Sequence, residues 1–355
     1  MKRLNFIIIL FSFLAIISCS KKDTITPEEG KQSVYVAGSE VIDDKRMATV
    51  WKDGVATHLN DGIDEYGDAM SVFVKDKDVY VAGYTRPKTG SRSTATLWVN
   101  NTPRPLTFSG DYSIANAVYV SGNDVYVAGY EVSGQTSTSI IWKNGVREAL
   151  GADGYSTSLY DIFVSGGDVY AVGTGTDNTG KISFASYWKN GVFTKLTTGE
   201  TNAYANSIFV KGNNVYIAGS DYIKDNVGHL VPMLWVNGVA NRLPAGNNTI
   251  ARASGVFVDG NDVYVVGNQT PPGEPAMALM WKNNKEFSRD DQVNSAVANG
   301  VYVSGGEVFA TGITTPDANS GKVRATLWEN GLSHREEVSP NLSNGYDIFV
   351  TNGKK

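Results

Sequence analysis

Seven tryptophans recur through the 355-residue chain as Trp51, Trp98, Trp142, Trp188, Trp235, Trp281 and Trp328, at intervals of 47, 44, 46, 47, 46 and 47 residues. A fixed period of this length marks a repeat architecture, in which each unit is too small to bury its own apolar face and must pack on its neighbours. The segments around the tryptophans repeat as well: TVWKDGV, TLWVNNT, IIWKNGV, SYWKNGV, MLWVNGV, LMWKNNK and TLWENGL. An apolar run that meets Asn-Gly or Asp-Gly signals a tight hairpin, because both central residues of a type I′ turn need positive φ.

A second hairpin precedes every Trp except the first: SVFVKDKDVYVAG, AVYVSGNDVYVAG, DIFVSGGDVYAVG, SIFVKGNNVYIAG, GVFVDGNDVYVVG and GVYVSGGEVFATG. β-Branched and aromatic runs flank a Gly, Asn and Asp turn in each. Before Trp51 there is only the second half, SVYVAG, and the missing half stands at the far end of the chain as YDIFV, Tyr346 to Val350. Two hairpins per repeat give four strands. The fold class expected is therefore all-β, a seven-bladed β-propeller of four-stranded blades spanning 33–355, its ring closed by the C-terminal strand pairing in the N-terminal blade. Closure removes the open sheet edges that a linear array would leave. The aromatic before the last Val of each inner strand (Phe73, Tyr119, Phe163, Phe209, Phe257, Tyr302, Phe349) and the seven Trp are expected mainly in the core.

In such a ring the inner-to-second and third-to-outer turns are short, and the other two classes of connection are long and share one face. That face is where binding is expected, since rigid scaffolds carry function on their loops. The inner strands enter the central channel there, bringing Met70, Asn116, Tyr160, Asn206, Asn299 and Tyr346, followed by Ser71, Asp161, Ser207 and Asp347, to the channel mouth as candidate ligand-binding residues. Asp161 and Asp347, both in YDIFV, are candidates for holding a cation or acting as an acid/base pair, against the alternative of binding nearby backbone N–H groups or water. Loop tyrosines Tyr66, Tyr84, Tyr112, Tyr130, Tyr155 and Tyr222 are candidates for stacking on sugars or peptides, and Arg86, Lys88 and Arg92 make one loop basic.

The N-terminus begins with Lys2 and Arg3, continues through an apolar run from Leu4 to Ile17 and reaches Ser18 and Cys19. A basic start, a short apolar stretch and a small residue before the cut describe a secretory signal over 1–18. Ile16 to Cys19 resemble a bacterial lipobox, and Cys19 is the sole cysteine, so lipidation there and a flexible tether over 19–32 are expected. The expected location is the membrane, the outer membrane in particular, with the chain at the surface. With Lys2 and Arg3 removed, 29 basic side chains face 36 acidic ones, a formal charge of −7. That balance argues against nucleic acid as a partner.

His58, His229 and His334 lack metal-ligand spacing, and no nucleophile-elbow, zinc-protease or phosphate-loop motif occurs. The W-x-N-G segment, a following Leu and the D-V-Y-V-A-G strand resemble the HAF-type extracellular repeats of bacterial β-propeller lipoproteins. The likeness covers nearly all of 33–350, although those repeats carry G-x-V-V-G where this chain has V-Y-V-A-G. It implies a propeller and carries over no catalytic residue. The function expected is a monomeric, noncatalytic, membrane-anchored module binding glycan or protein, with no cofactor beyond a cation at the channel mouth. The alternative is a hydrolase or lyase acting on polysaccharide at that mouth.

Overall fold

A computed structural model describes residues 32–351 apart from 64, 91, 153, 178, 225–227 and 318–320. The expected signal peptide, Cys19 and the tether as far as residue 31 lie outside the described residues. Those described form seven four-stranded antiparallel sheets and no helix. The sheets ring an axis: a seven-bladed β-propeller. Blade two shows the pattern, with its inner strand Glu65–Lys75, second strand Asp78–Pro87, third strand Thr94–Val99 and outer strand Thr102–Pro105. Blade one is assembled from both ends of the chain. Leu342–Thr351 is its inner strand and pairs with Ser33–Ile42 from Ser33↔Thr351 to Val41↔Leu342, and Lys45–Lys52 and Val55–His58 follow outward.

The Asn of W-x-N-G does more than adopt positive φ. Asn144 and Gly145 have φ of 51° and 80°, as a type I′ turn requires. The Asn144 amide also donates to the Val125 carbonyl, its side-chain oxygen accepts from the Val125 N–H at 2.9 Å, and its Nδ2 donates to Asp124. The equivalent side chain, Asn or Asp53, accepts from the N–H of the first Val of the second strand in all seven blades. In blades three, four and six the Lys after Trp completes the set. Lys143, Lys189 and Lys282 lie 2.8, 2.9 and 2.7 Å from Asp124, Asp168 and Asp262, and stand over the Tyr of the same D-V-Y.

All seven tryptophans are buried between blades. At about 150–250 Å² each and roughly 25 cal/mol per Å², burial of one such ring is worth about 4–6 kcal/mol before entropy is counted. Leu59, Leu106, Leu150, Leu196 and Leu243, just beyond their outer strands, each pack in one cluster with the Trp of the following blade. Each is fixed by donating its N–H to the carbonyl three or so residues before its own blade's Trp, as Leu106 does to Ala95.

Every inner strand carries a β-bulge. In blade two Ala69 pairs with Gly83 and Ser71 with Ala82, leaving Met70 as the extra residue. The same step leaves out Asn116, Tyr160, Asn206, Ser254, Asn299 and Tyr346. The bulge explains the Gly that ends each V-Y-V-A-G strand. A Cβ on Gly38, Gly83, Gly129, Gly173, Gly219, Gly267 or Gly312 would stand 1.8–2.0 Å from an inner-strand carbonyl oxygen.

The antiparallel order puts inner-to-second and third-to-outer turns on one face and the remaining connections on the other. Blades one and three depart from the expected long second-to-third loops: two residues, Asp43–Asp44 and Gly134–Gln135, suffice there.

Candidate functional site

The axial channel holds a cavity of about 210 Å³, walled by four consecutive residues from each inner strand. All ten candidate residues line it: Met70, Ser71, Asn116, Tyr160, Asp161, Asn206, Ser207, Asn299, Tyr346 and Asp347. The bulge brings Met70, Asn116, Tyr160, Asn206, Asn299 and Tyr346 there, because an unpaired extra residue re-aims its side chain out of the ladder. The uppermost tier is these bulge residues, among which Tyr160 is the most open at 37% exposed. The three Asn of this tier face sideways as well as inward. Asn116, Asn206 and Asn299 donate to the carbonyls of Leu159, Ala253 and Gly345 in the next blade, at 2.6–2.8 Å.

One residue further along, polar side chains serve the backbone of the next blade. Asp347 accepts from the Val72 N–H and Ser71 from that of Val118; Asp161 accepts from Ile208 and Ser207 from that of Val256. Ala117, Gly255 and Gly300 have no side chain able to do this. The blades that follow Ala117 and Gly300 carry Asp161 and Asp347 in this tier, whose second oxygens accept from Ile162 and Ile348, their own neighbours' N–H groups. The two Asp therefore each hold two inner-strand amides, one within the blade and one across the seam.

Burial pushes the Asp161 carboxyl up to about 7, the charge of Asp347 adds to this, and the N–H donors and Ser207 pull against it. Asp347 is raised by burial too, with Ser71 and the Val72 and Ile348 amides opposing. The charge of Asp347 is thus felt at Asp161, three blades away around the ring.

Below them the inner-strand aromatics form a closed belt. Phe73, Tyr119, Phe163, Phe209, Phe257, Tyr302 and Phe349 touch in sequence and back to the start, with centroids 4.6–5.0 Å apart. They were expected in the core with the tryptophans; each is half-buried, packed against a core cluster on one side and lining the channel on the other. Neighbouring planes meet at 44–55°. One seventh of a turn is about 51°, so the ring planes run nearly parallel to the axis, a pinwheel that narrows the tight-turn end of the channel.

Other charged groups near the long-loop face are committed to structure. Asp68 accepts a forked pair from Arg46 and a bond from Tyr84 at 2.6 Å, and Arg46 also reaches Tyr346. Glu40, buried, takes His58 at 2.7 Å with Ser339 and Asn341; Glu131 takes Arg147 and Ser109. His58, which looked isolated in the sequence, is thus hydrogen-bonded to a buried carboxyl group. The loop tyrosines are half-buried rather than open: Tyr84 serves Asp68, and Tyr155 packs on Phe184 and Phe193. Of the basic loop, Arg86 lies over Tyr66 and Arg92 is 3.8 Å from Asp111.

No protein-family model matches the chain, and no curated protein does. Among solved structures, the computationally designed Ika8 protein matches at 16% identity over 92% of this chain and 95% of its own, with a TM-score of 0.48. A Mycobacterium tuberculosis puromycin-hydrolyzing peptidase matches at 12% identity and a TM-score of 0.56, over 86% of this chain and 51% of its own. The likeness to the peptidase is one of fold. This chain spans about half of that protein's length.

Proposed function

We propose that the chain is a noncatalytic, membrane-anchored extracytoplasmic binding module that takes a glycan or protein ligand at the channel mouth. One observation carries this reading: the acids of the site are already occupied. Asp161 and Asp347 hold backbone amides of two blades each, which suits a rigid, preorganised rim better than groups that must release and reclaim protons. The anchor rests on the lipobox-like Ile16 to Cys19. Ser33 starts its strand at the tight-turn face, so a tether running to Cys19 leaves the long-loop face turned away from the bilayer. No helix among the described residues is long and apolar enough to cross a membrane.

A glycan array and a pull-down with the full chain in detergent test the ligand. Specific binding weakened by Tyr160→Ala is the expected result. Binding untouched by changes at Tyr160, Asn116 and Asn206 would move the site elsewhere. Cys19→Ala is expected to shift the protein from the detergent phase to the aqueous phase on cloud-point separation; unchanged partitioning refutes the anchor.

A second reading, a hydrolase or lyase acting on polysaccharide, is favoured by the raised Asp161 carboxyl, which at about 7 lies where a general acid works. New reducing ends released from a bound polysaccharide, and lost in Asp161→Asn, would establish it over the first.

A further inference from the structure

The seam between blades seven and one differs from the others, and the difference begins in the repeat itself. Where blades three, four and six read W-K-N and D-V-Y, blade seven reads W-E-N and E-V-F: Glu329 stands in the lysine's place, Glu307 in the aspartate's and Phe309 in the tyrosine's. An attractive Lys–Asp pair has become two like charges. The outer hairpin is also longer. Val338 donates its N–H to Ala325, the bond that Leu106 makes to Ala95, yet it lies ten residues after Trp328 where Leu106 lies eight after Trp98. The filler against the next blade's Trp is therefore a Val set at the end of a looser turn, and Glu336 occupies the position eight after the Trp.

A cleft of about 430 Å³ results on the tight-turn side, within the size range of small-ligand sites. Its floor is apolar, formed by Val36, Trp51, Phe309 and Val338, and its rim carries Glu307, Glu329 and Glu336. Among the described residues none of these three glutamates has a salt-bridge partner, whereas Glu337 beside them is paired with Arg324 at 3.2 Å. Burial and the charges of Glu336 and Glu307 push the Glu329 carboxyl up, a cost that a bound cation would relieve. Trp51 in the floor is 1% exposed, and its indole N–H, like those of Trp98, Trp188 and Trp235, finds no acceptor among the described residues; the buried side-chain oxygen of Gln32, also in the lining, finds no donor. No group of acidic, His or Cys side chains among the described residues is spaced to hold a metal ion. Three unpaired glutamates over an apolar floor match a cation with an apolar body.

We propose that this cleft binds an alkylammonium, the aliphatic stem lying on Trp51, Phe309 and Val338 and the ammonium among Glu307, Glu329 and Glu336. The same chemistry is offered by a free diamine and by a lysine side chain of a peptide. Calorimetric titration of the full chain in detergent at low salt, with 1,5-diaminopentane and separately with an end-capped Ala-Lys-Ala peptide, tests it. One-to-one binding that weakens with added salt is expected. Diamine binding without the peptide assigns the site to free amines, and peptide binding without the diamine assigns it to lysine side chains. Glu329→Lys restores the residue that blades three, four and six carry, so the thermal midpoint should hold while affinity falls at least about tenfold. Should that variant unfold, Glu329→Gln serves, with a smaller loss expected. Absence of binding by either probe, or affinity unchanged in a folded Glu329 variant, overturns the proposal.

Discussion

Replacing Gly129 by alanine tests the bulge that aims the channel residues. A Cβ there would lie 2.0 Å from the Ile114 carbonyl oxygen and 3.0 Å from the Ala115 Cα. An unstrained carbon–oxygen contact is more than 3 Å, so the strands must part by about 1 Å, and the site offers only backbone to yield. Parting them weakens one or two ladder bonds beside Asn116, at about 0.5–1.5 kcal/mol each, on top of overpacking of about 1–3 kcal/mol. Alanine returns about 0.4–1 kcal/mol by stiffening the unfolded chain. The net expectation is a loss of about 2–4 kcal/mol. Gly151→Ala is the control, since its φ is not positive and a Cβ there would meet nothing within 4 Å; it should be neutral or slightly stabilising. Urea unfolding of both variants beside the parent gives the comparison. A Gly129→Ala midpoint equal to that of Gly151→Ala would refute the claim that the bulge forces glycine on the second strand.

Asp161 gains protons on folding, because its carboxyl moves from an ordinary value of 3.8 to about 7. Its contribution to stability is thus full below about pH 4 and is lost as pH rises through about 7. Asp161→Asn removes that titration and gives up one acceptor, at about 1–3 kcal/mol, so the thermal-midpoint gap between parent and variant should narrow from pH 5 to pH 8; a constant gap would count against the raised value. Asn144→Gly keeps positive φ but loses the bonds to Val125 and Asp124, and should cost about 1–2 kcal/mol in urea titration; no change would reduce the turn Asn to a backbone role. Deleting 342–355 removes the inner strand of blade one, and the expected result is aggregation on size exclusion, reversed by adding a synthetic 342–351 peptide. A truncated chain that stays monomeric with an unaltered melting temperature would refute closure by that strand.

The strands, their number and the joining of both chain ends were legible because each rests on local chemistry: Asn-Gly turns, two-residue alternation and a half-hairpin at either terminus. The position of the ten channel residues was legible from spacing alone. What escaped was whatever depends on a neighbouring blade. Nothing near Asp161 in sequence announces the Ile208 amide, 47 residues on. The aromatic belt went unread for the same reason: alternation tells which side of a sheet Phe163 leaves, and only the curvature of the ring decides that this side is the channel. The two short loops of blades one and three escaped because Asp43–Asp44 and Gly134–Gln135 lack the Asn-Gly signature. Glu329, by contrast, was visible as the one acidic residue following any of the seven Trp, and comparing repeats with one another, rather than with their consensus, would have found it.

Ser33–Ile42 has a hydrogen-bonded neighbour on each side, Leu342–Thr351 and Lys45–Lys52. A tether pulling on Ser33 along its strand would load both ladders in shear, all rungs together, instead of peeling one rung at a time. Rupture under tension is then set by a high unfolding barrier.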